Sequence, residues 1–176
     1  MLRLGSLVLG VTIAFLPRQS LAPYVPTPPD VVVRMLELAK ITRNDVVYDL
    51  GCGDGRIPIA AAAKYGARGV GIDIDPRRIE ESRANAKATG VEHLVEFRLE
   101  DVMKADVSRA TVVTLFLLSS SNAKLRPMLQ SQLGPGARIV SHAFSMGADW
   151  PADKVDQFIS ERGDEVTLYL WTITSR

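Results

Sequence analysis

The sequence predicts an α/β fold in which one doubly wound sheet forms a single domain. Short apolar, β-branched runs alternate with segments of helical periodicity along most of the chain. This alternation is typical of a parallel sheet with helices on both faces. The last two apolar runs are separated only by a short polar segment around Gly163. They should therefore pair as an antiparallel hairpin at the end of the fold.

The first half of the chain contains three predicted helices and three predicted strands. The first helix follows a proline-rich stretch, and its apolar residues recur at helical spacing. Gly66 should stop the second helix, and Asp75 should cap the third, in which Pro76 is the first residue. The elements expected here are, in order, helix 30–40, strand 45–50, a helix that ends at 65, strand 69–74, helix 76–89 and strand 94–99.

The second half begins with a strand at 111–118, an unbroken β-branched and apolar run. Such a run predicts a central parallel strand that is buried on both faces. A helix is expected next, and the glycines at 134 and 136 should end it. The remaining elements expected are helix 121–133 and strands 137–142, 155–160 and 166–173.

The most informative stretch is residues 46–56, where an apolar run ends in Asp49 and glycines follow at Gly51, Gly53 and Gly55. Glycines between a strand and a helix let the backbone turn sharply or approach a ligand closely. Dinucleotide-binding loops use the different spacing G-x-G-x-x-G, which places a pyrophosphate at a helix N-terminus. An acid at the strand end would repel phosphate. It suits a ligand with an amine and no phosphate, and S-adenosylmethionine has an amine, a sulfonium and a ribose.

Acids also end the next two predicted strands. Asp73 follows the glycines at close to the ~20-residue spacing expected of a carboxylate that binds ribose hydroxyls. Glu100 and Asp101 end the third strand, where a carboxylate can accept a hydrogen bond from the adenine amine. The carboxyl ends of parallel strands meet at one edge of a sheet, and ligands bind there. The three strand ends therefore predict one adenosine-binding site.

These residues resemble the seven-β-strand (class I) S-adenosylmethionine-dependent methyltransferases. By position, Asp49, Gly51 and Gly53 match the first motif of that family. Asp73 matches its ribose-binding acid, and Asp101 matches its adenine-binding position. The resemblance implies a Rossmann-like sheet with the strand order 3-2-1-4-5-7-6. It also implies S-adenosyl-L-methionine as the cofactor.

A closer resemblance is to a bacterial group related to the mitochondrial lysine methyltransferases that modify the c-subunit of ATP synthase and the adenine nucleotide translocase. The matching segments are Tyr24-Val25-Pro26-Thr27-Pro28, Asp49 to Arg56, Thr111 to Leu118 and Arg138 to His142. This resemblance implies a protein-lysine N-methyltransferase whose stretch around Tyr24 and Thr27 covers the cofactor. Thr27 could instead only cap the helix that follows it.

The chemistry predicts where the methyl acceptor should enter. The protein must align the acceptor with the donor methyl and exclude water, and an apolar environment lowers the pKa of a lysine acceptor. The ends of the fourth and fifth strands should build this mouth, with the candidates Leu117, Leu118, Ser119, Asn122, His142 and Phe144. Ser119 and Asn122 could equally cap the next helix. His142 could be a general base or a hydrogen-bonded structural residue.

Composition narrows the classes of function. The chain has 21 basic and 20 acidic residues and a net charge of +1. It therefore lacks the excess of positive charge that is typical of nucleic-acid-binding proteins. The fourth strand is followed by Leu-Leu-Ser-Ser-Ser-Asn, not by the Asn/Asp-Pro-Pro-aromatic run of enzymes that methylate base amines. A single cysteine and two separated histidines predict no metal site. The alternatives to a protein-lysine methyltransferase are a small-molecule N- or O-methyltransferase and a non-catalytic S-adenosylmethionine-binding protein.

Residues 1–22 are predicted to be a hydrophobic leader or anchor ahead of a methyltransferase domain at 23–176. Residues 4–16 carry no charge. As a helix they would span ~20 Å, which is short for the ~30 Å of bilayer hydrocarbon. We expect weak membrane association, with the catalytic domain in the cytoplasm and a membrane protein among the candidate acceptors. A cleaved signal peptide with export and a helix packed on the domain are the alternatives.

Overall fold

The computed structural model describes residues 23–174, so the leader predicted at 1–22 lies outside the described residues. The strands are β1 (Val46–Leu50), β2 (Arg68–Asp73), β3 (Val95–Leu99), β4 (Val112–Leu115), β5 (Arg138–His142), β6 (Lys154–Ile159) and β7 (Glu165–Thr172). They form one sheet in the order β3-β2-β1-β4-β5-β7-β6. Strands β1 to β5 are parallel, and β7 is antiparallel to both β5 and β6. The predicted fold class, strand order and terminal hairpin are confirmed.

Four α-helices flank the sheet: α1 (Pro29–Leu38), α2 (Arg56–Tyr65), α3 (Pro76–Thr89) and α4 (Ser119–Gln132). Gly66 and Gly90 end α2 and α3 in the left-handed conformation, which glycine adopts without a steric cost. The Asp75 side chain accepts a hydrogen bond from the Arg77 amide and caps α3 as predicted. Within the described residues, no helix is long and apolar enough to cross a bilayer.

Strand β4 is shorter than predicted, and α4 begins earlier. Strand β4 pairs with β1 on one side and with β5 on the other, and both pairings end at Leu115, opposite Leu50 and Ser141. The glycine loop begins directly after Leu50. Leu118 then adopts an extended conformation and is the N-cap of α4, with no side-chain hydrogen bond. The prediction that Ser119 or Asn122 caps this helix is therefore wrong.

Two smaller differences lie near the predicted ligand site. Pro28 is the N-cap of α1, and no side chain caps this helix, so the prediction that Thr27 caps it is wrong. A short 3-10 turn at Val102–Lys104 follows β3. This turn was not predicted from the sequence, and in it the Asp101 carboxylate accepts a hydrogen bond from the Met103 amide.

Two apolar layers hold the sheet in place. On one face, α4 packs on the central strands through residues that include Leu125, Leu50 and Leu115. On the other face, α1 and α2 pack on the same strands around Met35 and Val140. Full burial of such side chains contributes about 1.5–3 kcal/mol each. The carboxyl ends of β1, β2 and β4 are therefore fixed at one edge of the sheet.

Candidate active site

A cavity of about 300 Å³ lies at this edge of the sheet. Its walls come from the ends of β1, β2 and β4, from the loop after β1 and from the stretch before α1. All of the residues predicted to bind the cofactor border it: Tyr24, Thr27, Asp49, Gly51, Gly53, Asp73 and Asp101. The fold therefore brings the seven predicted residues together at one cavity. That they bind the cofactor stays a prediction.

The glycine loop gives the cavity a floor without side chains. Gly51, Gly53 and Gly55 have φ angles of 86°, 53° and 78°, in the left-handed region that other residues rarely adopt. A Cβ on Gly53 would lie 2.5 Å from Cε2 of Tyr24, and one on Gly51 would lie 3.1 Å from Cδ2 of Leu117. Glycine is required here both for the turn and for the space above it.

The Asp73 carboxylate organises the loop. Its Oδ2 accepts a hydrogen bond from the Gly53 amide, and its Oδ1 accepts one from the Asp75 amide, both over 2.9 Å. A carboxylate oxygen can accept more than one hydrogen bond, so Asp73 can hold the loop and also accept from a ligand hydroxyl. Asp101 lies at the same edge, after β3.

Asp49 is the buried acid of the site. It is the next-to-last residue of β1 and accepts a hydrogen bond from the Thr114 hydroxyl over 2.7 Å. Burial raises the pKa of Asp49 to about 7, and the nearby charges of Asp73 and Asp54 add to this effect, whereas the bond from Thr114 opposes it. A cation at this point would favour the ionised form of Asp49.

Residues 23–27, which we name the strap, close one side of the cavity. The Tyr24 ring lies directly over Gly53, which is the contact that a Cβ on Gly53 would disrupt. The Arg78 guanidinium lies 3.9 Å from the centre of the same ring, within the range of a cation–π interaction. Tyr24 is therefore held between the glycine loop and α3.

Arg56 anchors the other end of the strap. Its Nη1 donates a hydrogen bond over 2.7 Å to the carbonyl of Thr27, a residue that is buried. Its Nε donates to Oδ1 of Asp54 over 2.9 Å. Burial acts to raise the pKa of Asp54, but hydrogen bonds and charge from Arg56 lower it overall. Arg56 and Asp54 had no predicted role, because Arg56 and Thr27 meet only in the folded chain.

An aromatic group stands at the β4 side of the cavity. Phe116 and Leu117 border the cavity from the loop after β4. The Phe116 ring lies 3.9 Å from the His142 ring and 6.3 Å from the Phe144 ring, centre to centre. Burial lowers the pKa of His142 to about 4, so its imidazole is neutral at physiological pH. This side of the cavity is therefore uncharged.

Of the six candidates for the acceptor mouth, Leu117 borders the cavity, whereas Ser119, Asn122 and His142 do not. Ser119 is exposed at the start of α4. Asn122 is buried and donates hydrogen bonds to the Ser141 hydroxyl and the Phe144 carbonyl. His142 lies behind Phe116. Contact of these three residues with an acceptor stays a prediction.

No metal-binding arrangement accompanies this site in the part of the chain that the structure describes: no three histidine, cysteine, aspartate or glutamate side chains are grouped to hold an ion. The single cysteine, Cys52, is buried in the glycine loop. Burial, together with the nearby Asp49 and Asp73, raises the pKa of its thiol. A raised pKa disfavours the reactive thiolate.

Comparison with known proteins decides the family. The sequence pattern of the ANTKMT methyltransferase domain matches residues 49–154. The chain belongs to this methyltransferase family. It is therefore an S-adenosylmethionine-dependent methyltransferase, as the sequence predicted.

Individual relatives agree with this assignment. A protein-lysine N-methyltransferase of Saccharolobus islandicus is 43% identical over 152 residues, which cover 86% of this chain and 93% of that protein. An ATP synthase C-subunit lysine N-methyltransferase of Xenopus laevis is 34% identical over 138 residues, 78% of this chain and 60% of that protein. A crystal structure named as an RNA methyltransferase from Salinibacter ruber, in complex with S-adenosyl-L-homocysteine, is 55% identical. It superposes with a TM-score of 0.80 and covers 86% of this chain and 95% of that one.

The cavity fits the methyl donor on its own geometry. The left-handed glycines leave room that a Cβ would fill, and carboxylates at Asp49, Asp73 and Asp101 can accept hydrogen bonds from an amine, a ribose and an adenine. When bound, S-adenosylmethionine supplies the activated methyl group. The chain supplies the floor, the acceptors and an uncharged wall at Phe116.

Proposed function

We propose that this methyltransferase transfers a methyl group to the ε-amine of a lysine in a protein. The observation that carries the proposal is the 43% identity with the protein-lysine N-methyltransferase of Saccharolobus islandicus across 93% of that protein. The geometry supports the same acceptor. Phe116 and Leu117, which border the cavity on its β4 side, carry no charge. Such an environment favours the neutral, nucleophilic form of an amine over its ammonium form.

RNA is the competing macromolecular acceptor, because the Salinibacter ruber structure is named as an RNA methyltransferase. The residues at the β4 side count against it. Enzymes that methylate base amines hold a flipped base by stacking and by hydrogen bonds to its edge, whereas Phe116, Leu117 and Leu118 offer no side-chain hydrogen bond after β4. The net charge of +1 gives no excess of positive charge for a phosphate backbone.

We also propose that the acceptor lies at a membrane and that the leader (residues 1–22) associates weakly with the bilayer, with the catalytic domain in the cytoplasm. Pro23 borders the cavity, so the leader joins the domain beside the site. Val25 borders the cavity and Leu118 follows the cavity residue Leu117, and these two side chains are 56% and 41% exposed. The Xenopus laevis relative is named for a lysine of the ATP synthase C-subunit. These observations support an acceptor presented at a bilayer surface.

The acceptor is tested with the full chain, S-adenosylmethionine labelled at the methyl group, and separated soluble and membrane fractions of the source cell. We expect label that protease releases and ribonuclease does not, mainly in the membrane fraction, with methyl-lysine recovered after acid hydrolysis. Gly51→Val is the matched inactive control. Labelled nucleosides would identify RNA as the acceptor, and label only in small metabolites would identify a small-molecule enzyme. Binding of the donor without any product would identify a non-catalytic protein.

The membrane part of the proposal is tested separately. Flotation of the full chain with vesicles of bacterial lipids should carry part of the protein upward. Leu9→Glu with Ile13→Glu should abolish flotation, because charge in an apolar segment opposes insertion. Affinity for S-adenosyl-L-homocysteine should not change in this variant. Equal flotation of both proteins would refute the role of the leader.

A further inference from the structure

We propose that His142 is a positioning residue that fixes the ring of Phe116 as the wall of the acceptor channel, and that a clamped turn at 141–144 fixes His142. The proposal rests on the proposed methyl transfer to lysine and names the residues that define that site. In this proposal His142 holds the Phe116 ring in position and does not act as a base.

The strand order shows which end of the cavity the acceptor must use. β2 and β3 lie on one side of β1, and β4 and β5 lie on the other. Asp73 ends β2 and Asp101 follows β3, whereas Phe116 follows β4. A donor whose ribose contacts Asp73 therefore extends its reactive end past Asp49 towards Phe116. The acceptor amine has to approach from this side.

The Phe116 ring is in contact with the cavity and with two other rings. It borders the cavity, and the His142 ring lies behind it at 3.9 Å with an interplanar angle of 34°. His142 is only 7% exposed and does not line the cavity. A base must come within hydrogen-bond reach of the proton that it removes. His142 does not border the cavity but packs against Phe116, which does, so His142 acts on the acceptor through this ring.

The nitrogen of His142 that could be expected to anchor the ring does not do so. Within the described residues, Nδ1 of His142 is buried and has no hydrogen-bond partner. A buried polar atom without a partner is unfavourable, so this nitrogen does not explain the orientation of the imidazole. The structure does place the imidazole against the Phe116 ring. Phenylalanine at this position would keep the flat ring and remove the unpaired nitrogen.

The turn at 141–144 carries the two rings that lie near Phe116, those of His142 and Phe144. Ala143 has a φ of 65°, which is unusual for a residue with a Cβ. The Phe144 amide donates to the His142 carbonyl over 2.8 Å. The Phe144 carbonyl accepts from the Ser141 hydroxyl over 2.6 Å and from the Asn122 amide over 3.0 Å. A strained backbone persists only where its surroundings hold it, and here two fully buried polar side chains do so.

The position of Phe116 is tested by fluorine NMR of the full chain with 4-fluorophenylalanine, loaded with S-adenosyl-L-homocysteine. The Phe116 resonance is assigned in each protein by adding Phe116→Leu, because His142→Phe introduces one more fluorinated ring. We expect one sharp Phe116 resonance in the wild type and in His142→Phe, and a broadened or split resonance in His142→Ala and Asn122→Ala, since loss of the neighbouring ring alone moves the resonance without broadening it. His142→Leu keeps the side-chain volume but not the flat ring, and its spectrum should resemble that of His142→Ala. It serves as a second variant in case the cavity left by His142→Ala disturbs the fold. A resonance that stays single and sharp in both His142→Ala and His142→Leu would overturn the proposal.

The catalytic consequence is measured as the initial rate of methyl-lysine formation in protein extract of the source cell. His142→Phe should retain a rate close to that of the wild type. His142→Ala should lose about 10- to 100-fold, the effect of a small misplacement at a reacting centre, with unchanged affinity for S-adenosyl-L-homocysteine. Equal losses in His142→Phe and His142→Ala would show that the nitrogen takes part in chemistry and would overturn the proposal. If the wild type forms no methyl-lysine, the proposed acceptor fails, and the fluorine spectra still decide the role of His142.

Discussion

The Gly53 amide donates a hydrogen bond to Oδ2 of Asp73 over 2.9 Å, and this bond joins the glycine loop to the end of β2. Asp73→Ala removes this acceptor and also the one used by the Asp75 amide. Hydrogen bonds to charged groups contribute about 1.5–3 kcal/mol, so we expect affinity for S-adenosyl-L-homocysteine to fall at least about 10-fold by calorimetry. Glu100→Ala is the matched control, because Glu100 follows the neighbouring strand and does not border the cavity. Similar losses in the two variants would contradict the assignment of Asp73.

The contact between Gly53 and Tyr24 is tested by a double-mutant cycle. Gly53→Ala places a Cβ 2.5 Å from the Tyr24 ring and on a left-handed φ, so it should lower the free energy of unfolding by about 1–3 kcal/mol. In a Tyr24→Ala background the steric part disappears and only the backbone cost remains. Denaturant unfolding of the four proteins should therefore give a coupling energy above about 0.5 kcal/mol. Additive effects would mean that the strap does not rest on the glycine loop.

Gly71 lies where an added side chain should destabilise the fold. A Cβ on Gly71 would lie 2.6 Å from the Phe97 ring and 2.8 Å from Sγ of Cys52. Gly71→Ala should therefore lower the free energy of unfolding by about 1–3 kcal/mol through overpacking. Gly134→Ala is the control, since a Cβ there meets nothing within 4 Å, and its effect should stay within about 0.5 kcal/mol. Equal effects measured by denaturant unfolding would show that the packing around Gly71 can adjust.

Most of this fold could be predicted from the sequence because the residues that begin and end its helices act through local contacts. Gly66, Asp75 and Gly90 bound their helices through contacts within a few residues, and these contacts can be seen in the sequence. The end of β4 could not be predicted in this way. Residues 116–118 are as apolar as the strand before them, and the pairing of β4 with β1 and β5, which ends at Leu115, depends on segments far away in the sequence.

The same distinction applies to the site. Asp49, Asp73 and Asp101 were predictable because each lies at or beside the carboxyl end of a strand, and parallel strands bring these ends to one edge. Asp54 and Asp75 also border the cavity, but they lie in the loops after β1 and β2 and were not predicted to line it. The contacts of Tyr24 with Gly53 and of Arg56 with Thr27 were not, because they join segments far apart in the sequence. The role proposed for His142 likewise depends on a contact across the sheet with Phe116, which spacing alone does not reveal.

Asp49 should make the stability of the ligand-free protein depend on pH. Burial, with the charges of Asp73 and Asp54, raises the pKa of Asp49 from 3.8 to about 7. Between these values the folded state binds more protons than the unfolded state, so the free energy of unfolding falls as pH rises from about 4 to about 7 and then levels off. Asp49→Asn removes this effect and keeps an acceptor for Thr114. The variant should therefore unfold at a higher temperature than the wild type at pH 8, by a margin that shrinks towards pH 5. A margin that is constant or grows towards low pH would contradict the raised pKa.

The same proton should be released when the ligand binds. The amine of S-adenosyl-L-homocysteine favours ionised Asp49, so at pH 6 binding should release part of a proton from the wild-type protein. Calorimetric titrations in two buffers with different ionisation enthalpies measure this release directly. Asp49→Asn should bind more weakly and release no proton from this position, whereas Glu100→Ala should behave as the wild type does. Equal proton release from the wild type and from Asp49→Asn would show that another group takes up the charge of the ligand.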